Sequence, residues 1–185
     1  MDTAPALSTV SLRLAVAGDM AAVQRIYAHH VLTGFASFEE TPPDVVEMTR
    51  RWTAIAVAGL PYLCAVEGEG EEAPVLGYAY AGPYRPRSAY RFCVEDSIYL
   101  APVATGRGIG RALLNALIAR CTEIGKRQMI AVIGDSANLA SVELHRSCGF
   151  ELVGTFAAIG FKHGRWVDSV LMQRLLGAGS ETLPG

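Results

Sequence analysis

At 185 residues, 51% of them hydrophobic and 18% charged, the chain is long enough for one compact domain with a substantial core and too apolar to stay disordered. A net charge of −2 gives no general attraction to nucleic acid or to an anionic membrane surface. Its apolar runs are broken well short of membrane-spanning length, no basic-then-apolar leader opens it, and its four cysteines lie far apart with no C-x-x-C pair, as in a cytoplasmic protein with reduced core thiols and no metal site.

In chain order, residues 1–10 read as a flexible tail, and 11–15 alternate as a first strand should. Asp19 is placed to cap a helix running to about Leu32, with Met20, Val23, Ile26, Tyr27 and Val31 turned inward. Thr33 and Gly34 end it, and Phe35, Ala36, Ser37 and Phe38 form an aromatic connector. Thr41, Pro42 and Pro43 open a second helix over about 44–57, with proline in its first turn. Stretches 62–67 and 75–81 are strands of a hairpin around the turn-rich 68–74. The arginine- and tyrosine-rich 82–91 is a loop or short helix, and 92–100 is a strand. Gly106, Gly108 and Gly110 then lead into a helix whose Ile109, Leu113, Leu117 and Cys121 share one face, stopped by Gly125. Residues 129–133 are apolar throughout, as in a central strand covered on both faces. Asn138 is placed to cap a helix over 139–148 that Gly149 ends, and 151–160 with 166–174 make a long hairpin about His163 and Gly164. Residues 177–185 read as a second flexible tail, and the order βααβββαβαββ gives one α/β domain over 11–176.

Two stretches carry chemistry. A strand, a glycine turn and a helix N-terminus can close backbone N–H groups around a diphosphate, with the helix dipole adding positive charge. The same spacing also suits a tight turn with close helix packing. No Gly-Lys-Ser/Thr ending makes it a P-loop, and its place past mid-chain does not fit a dinucleotide fingerprint. The second stretch is Glu95 and Asp96, adjacent carboxylates in an otherwise apolar strand. Burying an unpaired carboxylate is costly, so the position calls for a partner, a water or a role. Alternation sends Glu95 to the face of Ser97 and Tyr99 and Asp96, a structural carboxylate in this reading, to the other.

From about Leu12 to Leu175 the chain resembles the GCN5-related N-acetyltransferases (GNAT superfamily), and within them the phosphinothricin, methionine sulfoximine and methionine sulfone acetyltransferases. The likeness rests on GYAYAGP from Gly77, VEDSIYL from Val94, AVIG from Ala131, Leu144-His145 and GFKHGRWVD from Gly160. It implies a mixed, mostly antiparallel seven-stranded sheet, splayed near its middle and flanked by helices on both faces, with acetyl-CoA as cosubstrate in the cleft and no metal. The backbone of Gly106, Arg107, Gly108, Ile109, Gly110 and Arg111 would grip the diphosphate. The strand Ile98, Tyr99, Leu100 would receive the pantetheine arm and polarise the thioester. Asn138 would touch that arm or act as a plain cap. Thr105 stands where the superfamily usually has Gln or Arg.

By the same resemblance Glu95 is the general base; otherwise it is a structural carboxylate paired with Arg87 or Arg91. His145 or water would protonate the departing thiolate; otherwise the histidine is a satisfied core residue. Arg85, Arg87 and Tyr90 are candidates for the carboxylate of an amino-acid acceptor, or belong to a solvated basic loop. Phe35 and Phe38 form a wall for its side chain or a core plug. Lys162 reads as a hairpin-turn lysine, and His29, His30 and His163 as surface or turn residues. The expected activity is acetylation of a small amino acid or analogue by direct transfer in a ternary complex, because no cysteine sits in a nucleophile setting. An acetyltransferase for protein N-termini or another amine, and a non-catalytic acyl-CoA sensor, are the alternatives. The family also implies a homodimer, which the C-terminal hairpin could help assemble.

Overall fold

Residues 10–14 alternate between the sheet's two faces and form strand β1 (Val10–Leu14), paired antiparallel with β2 (Tyr62–Glu67) in a computed structural model that describes residues 9–183. Of the tail expected over 1–10, residues 1–8 lie outside the described part, as do the last two residues of the chain, and Val10 belongs to β1 instead. β2 pairs with β3 (Val75–Pro83) across the expected hairpin, and β3 with β4 (Cys93–Leu100). β5 (Gln128–Gly134) runs parallel to β4, a join that needs a crossover, supplied by helix α3 (Ile109–Glu123). β7 (Arg165–Leu175) returns antiparallel to β5, and β6 (Glu151–Lys162) is the edge, so the seven-stranded mixed sheet has the order β1-β2-β3-β4-β5-β7-β6.

The parallel junction is short. β4 and β5 pair only from Cys93 opposite Gln128 to Asp96 opposite Ala131, and beyond Asp96 they separate. The sheet therefore splays where Ser97, Ile98, Tyr99 and Leu100 leave their neighbour, and the site is built in that gap.

Helices α1 (Met20–Thr33) and α2 (Val45–Val57) cover one face, and α3 with α4 (Leu139–Ser147) the other. All five residues expected to face inward from α1 are buried, among Cys64, Val66 and Tyr78. On α3 the expected face of Ile109, Leu113, Leu117 and Cys121 is buried, joined by Leu114 and Ile118. Leu113, Leu114 and Leu117 are wholly shielded from solvent, each contributing about 2 kcal/mol of transfer free energy.

Three local expectations are corrected. Asp19 does not cap α1 with its side chain; a 3-10 turn precedes the helix, and the carboxylate accepts from Val16 N–H and from both Arg13 terminal nitrogens. Pro42 and Pro43 stay outside α2, whose cap is Asp44 accepting from Glu47 N–H at 2.8 Å. β5 is not covered on both faces: Val132 is 40% exposed, because α1 and α2 shield only the β2–β4 half of the sheet. The C-terminal hairpin carries a bulge between Phe156 and Gly160, where Ala158 adopts φ +51° and donates its N–H to Asp168. Residues 177–183 run through turns, and Arg127 donates to Thr182 and Leu183 there. Among the described residues no helix is long and apolar enough to cross a membrane.

Candidate active site

After β4 the chain makes a 3-10 turn at Pro102–Ala104 and enters the glycine loop. Gly106 and Gly108 have φ of +74° and +77°, a region that strains any residue with a Cβ. Gly108 is the N-cap of α3 and no side chain caps this end, so the unpaired N–H groups of the first turn and the positive end of the dipole are left for a ligand. Gly110 serves packing: a Cβ there would come within 3.3 Å of Leu144.

A groove of about 770 Å³ starts at this helix end. Gly106, Gly108, Gly110 and Arg111 form one wall, Ile98, Tyr99 and Leu100 run along it, and Asn138, Ser141 and Leu144 stand opposite. Such a groove suits a long phosphorylated chain held by its phosphates at one end. Two candidates from the same loop point elsewhere. Arg107 reaches Glu67 at 3.3 Å, and the Ile109 side chain is in the core. Thr105 lines the groove, with its hydroxyl donated to Pro102 O at 2.9 Å. Asn138 caps α4, accepting from Ser141 N–H at 3.3 Å, and lines the groove as well.

A second cavity, about 260 Å³, opens in the splay and is lined by Glu95, Asp96, Ser97, Phe38, Val132 and His145. It shares Ala36, Ile98, Tyr99, Gly134, Asn138 and Ser141 with the groove, so the two meet between β4 and β5. The exposed face of Val132 belongs to this cavity.

Alternation along β4 runs unbroken and separates the two carboxylates. Glu95 is half-buried, and among the described residues no hydrogen bond or ion pair engages it. Burial and the neighbouring Asp96 raise its pKa, with Arg85 acting in the opposite sense. The pairing with Arg91 does not form: that guanidinium donates to Ser88 O and lies over the Phe92 ring. Asp96 faces α4 and meets His145, Oδ2 to Nε2 at 3.0 Å, both residues buried. His145 Nδ1 lies 2.7 Å from Ser141 O, an acceptor, so that nitrogen carries a proton and both ring nitrogens are engaged. Burial lowers the imidazole pKa, but the hydrogen bond and charge of Asp96 outweigh it and the net shift is upward. Asp96 Oδ1 is buried with no hydrogen-bond partner among the described residues.

The loop before β4 stays outside both cavities. Arg85 lies against the Tyr84 ring and acts on Glu95 through its charge, Tyr90 stacks edge-on with Tyr84 at 40% exposure, and Arg87 lines neither space. Phe35 lines the groove beneath the Arg165 guanidinium, and Phe38 lines the cavity. His30, expected at the surface, is half-buried in the groove wall with Nε2 2.8 Å from Leu100 O, and burial lowers its pKa. Ser97, beside Glu95 on the strand, was not singled out and lines the cavity. Its signal was available: it shares the Glu95 face by alternation. Among the described residues no group of three His, Cys, Asp or Glu is placed to hold a metal ion.

Comparison with known proteins agrees with this geometry. The Acetyltransferase (GNAT) family model matches residues 23–150. A phosphinothricin N-acetyltransferase of Alcaligenes faecalis is 58% identical over 166 residues, spanning 90% of this chain and 82% of its own. An L-methionine sulfoximine/L-methionine sulfone acetyltransferase of Pseudomonas aeruginosa is 39% identical, over 89% of this chain and 94% of that protein. The crystal structure of a GNAT-superfamily phosphinothricin acetyltransferase from Sinorhizobium meliloti, in complex with acetyl-CoA, matches with a TM-score of 0.90 at 53% identity, covering 96% of this chain and 94% of that one. With its groove rising from an uncapped helix end into a splayed sheet, and with sequence likeness over most of its length, the chain belongs to the GNAT family and is an acetyl-CoA-dependent acetyltransferase.

Proposed function

We propose that the enzyme acetylates the amino group of a small amino acid or analogue, of the phosphinothricin, methionine sulfoximine or methionine sulfone kind, by direct transfer within a ternary complex. The observation that carries this reading is Glu95: an unpaired, half-buried carboxylate of raised pKa in a cavity that joins the cofactor groove. The names of the relatives support the acceptor class, and a cavity of about 260 Å³ suits a small acceptor.

Acetyl-CoA supplies the activated acetyl group as a thioester. Backbone amides of 106–111 and Arg111 hold its diphosphate, and backbone groups of Ile98–Leu100 polarise the carbonyl. Glu95 takes a proton from the acceptor's ammonium, directly or through a water, and the freed amine attacks. The C–N bond forms and the C–S bond breaks; the nitrogen of the adduct gives up its second proton, and the departing thiolate gains one and leaves as the thiol. Both nitrogens of His145 are engaged, which favours water as the source of that proton and leaves His145 to hold Asp96 in place. Arg85 supplies positive charge near the acceptor. Burial pushes the Cys64 and Cys121 thiols up to about 12 and Cys93 up to about 11, which supports direct attack over an acyl-cysteine.

The family resemblance supports a homodimer, and edge strand β6 offers it a surface: Leu152, Val153, Phe156, Ile159 and Phe161 are between 52% and 60% exposed. Dependence on acetyl-CoA and four free cysteines support a cytoplasmic setting.

The test is thiol release from acetyl-CoA over a panel of amines: phosphinothricin, methionine sulfoximine, methionine sulfone, polyamines and peptides with free N-termini. Turnover of the amino-acid analogues is expected, with Glu95→Gln lowering kcat/KM about 100-fold or more and leaving acetyl-CoA affinity intact. Turnover confined to peptides or polyamines would overturn the acceptor class. An unchanged rate in Glu95→Gln would overturn the base.

A further inference from the structure

Lys162, in the GFKHGRW stretch, is 1% exposed at the end of β6 and forms no ion pair among the described residues. Its amine donates to Gly34 O at 2.8 Å and to Ser37 O at 2.6 Å, residues more than a hundred positions earlier. Glu39 and Glu40 act on it only through their field. Burying an ammonium without a counter-ion is costly. Carbonyls on a surface connector could bond to water instead, so a lysine brought beneath this one marks a segment whose position matters.

That segment, residues 34–38, runs from the end of α1 like a strap between the two cavities. Phe35 and Ala36 line the groove, and Ala36 and Phe38 line the Glu95 cavity. β6 holds the strap with two residues. Gly160 and Lys162 are two apart in a regular stretch of the hairpin and so face the same side. Lys162 takes the strap's carbonyls, and the Phe38 ring rests where a Cβ on Gly160 would overlap it. On the other side a Cβ on Gly134 would strike Phe35 O. Tyr27 Oη adds a hydrogen bond to Ser37 Oγ at 2.8 Å. The two Lys162 bonds need two N–H groups, which both protonation states of an amine possess, so the clamp holds in either.

We propose that Lys162 is a positioning residue of the acceptor site: by holding Gly34 and Ser37 it seats Phe38 as a fixed wall beside Glu95 and so sets the affinity for the amine. This rests on reading the Glu95 cavity as the acceptor site, and the test separates the two.

Lys162→Met is expected to raise the amine KM about tenfold, to raise the acetyl-CoA KM by less than about threefold through Phe35 and Ala36, and to leave kcat within about twofold, because the acceptor wall is displaced and the base and the start of α3 are not. In a Phe38→Ala background the same substitution should add less than about twofold, since the wall it positions is already gone. An unchanged amine KM, an equal loss in every parameter, or fully additive effects would overturn the proposal. Should Lys162→Met fail to fold, Gly160→Ala moves the Phe38 ring and keeps the clamp; a raised amine KM is expected, and an unchanged one counts against the seat. Amide hydrogen exchange needs no acceptor. Faster exchange at residues 34–38 than at the start of α3 is expected in Lys162→Met, and no local change defeats the clamp even if wild-type enzyme acetylates no amino acid.

Discussion

Glu95 and Asp96 are covalent neighbours with opposite surroundings, and a single substitution should expose the difference. Asp96 raises the Glu95 pKa through its charge and raises that of His145 through a hydrogen bond and its charge. Asp96→Asn removes both influences. For Glu95 the folded pKa falls toward the ordinary carboxylate value, so the acid limb of kcat/KM for the amine shifts to lower pH. For His145 only the lowering by burial and a weaker backbone contribution remain, so its imidazole, which titrates above 6.5 in the wild type, should titrate below it. A pH–rate profile and an NMR titration of the histidine ring read the two shifts independently. A limb that stays put, or a histidine that still titrates above its usual value, would contradict the coupling. The stability sign follows: a histidine with a raised folded pKa contributes stability fully present below 6.5, and this is lost as pH rises through the folded value. The adjacent acids and their separation by alternation were legible in the sequence. The Asp96–His145 contact, spanning 49 positions, was not, because no local pattern records which helix faces which strand.

At the scale of elements, periodicity was the reliable guide. The inward faces of α1 and α3 were readable because a helix of fixed pitch needs its apolar residues on one side. Element starts were less readable. Asp19 and Pro42-Pro43 have the right chemistry for a first turn, yet Asp19 is held by Arg13 from β1, and Asp44 captures the cap position ahead of the prolines. His30 and Lys162 escaped for a related reason: each finds its carbonyl partner 70 or more positions away, which no local pattern records. The glycine loop left packing and anion binding open, and the backbone conformation supports a division of the two by residue. Gly106 and Gly108 need positive φ with open space around them, whereas Gly110 lies against Leu144. Gly108→Ala therefore meets strain without a clash. It should cost about 1 kcal/mol of stability and weaken acetyl-CoA binding about tenfold by tilting the first-turn N–H groups. Gly110→Ala keeps a helical φ and the direction of the first-turn N–H groups, and should weaken binding less than Gly108→Ala while crowding Leu144. Calorimetric titration with acetyl-CoA distinguishes them, and equal losses in the two variants would refute this division of roles.

For the molecule as a whole, the splay explains both what is covered and what is left open. α1 and α2 shield only one half of the sheet's face, so β5 presents Val132 to the cavity and the C-terminal hairpin is left without a helix on that side. β6 is then a twelve-residue edge strand with apolar side chains in solvent, a surface that invites pairing with another chain. The bulge between Phe156 and Gly160 divides this edge. Its outer part carries Leu152, Val153 and Phe156, away from the Gly160–Lys162 segment that supports the strap. Placing charge on the outer part should therefore break a homodimer without unseating the acceptor wall. Val153→Glu with Phe156→Glu is expected to halve the mass found by sedimentation, with the acetyl-CoA dissociation constant held within about twofold because the proposed diphosphate grip is placed at the start of α3 and not on β6. A monomeric wild type would remove the basis for a dimer through this edge. A variant that stays dimeric would place the contact on another surface, and one that loses acetyl-CoA affinity would show that the edge and the groove are not independent parts of the fold.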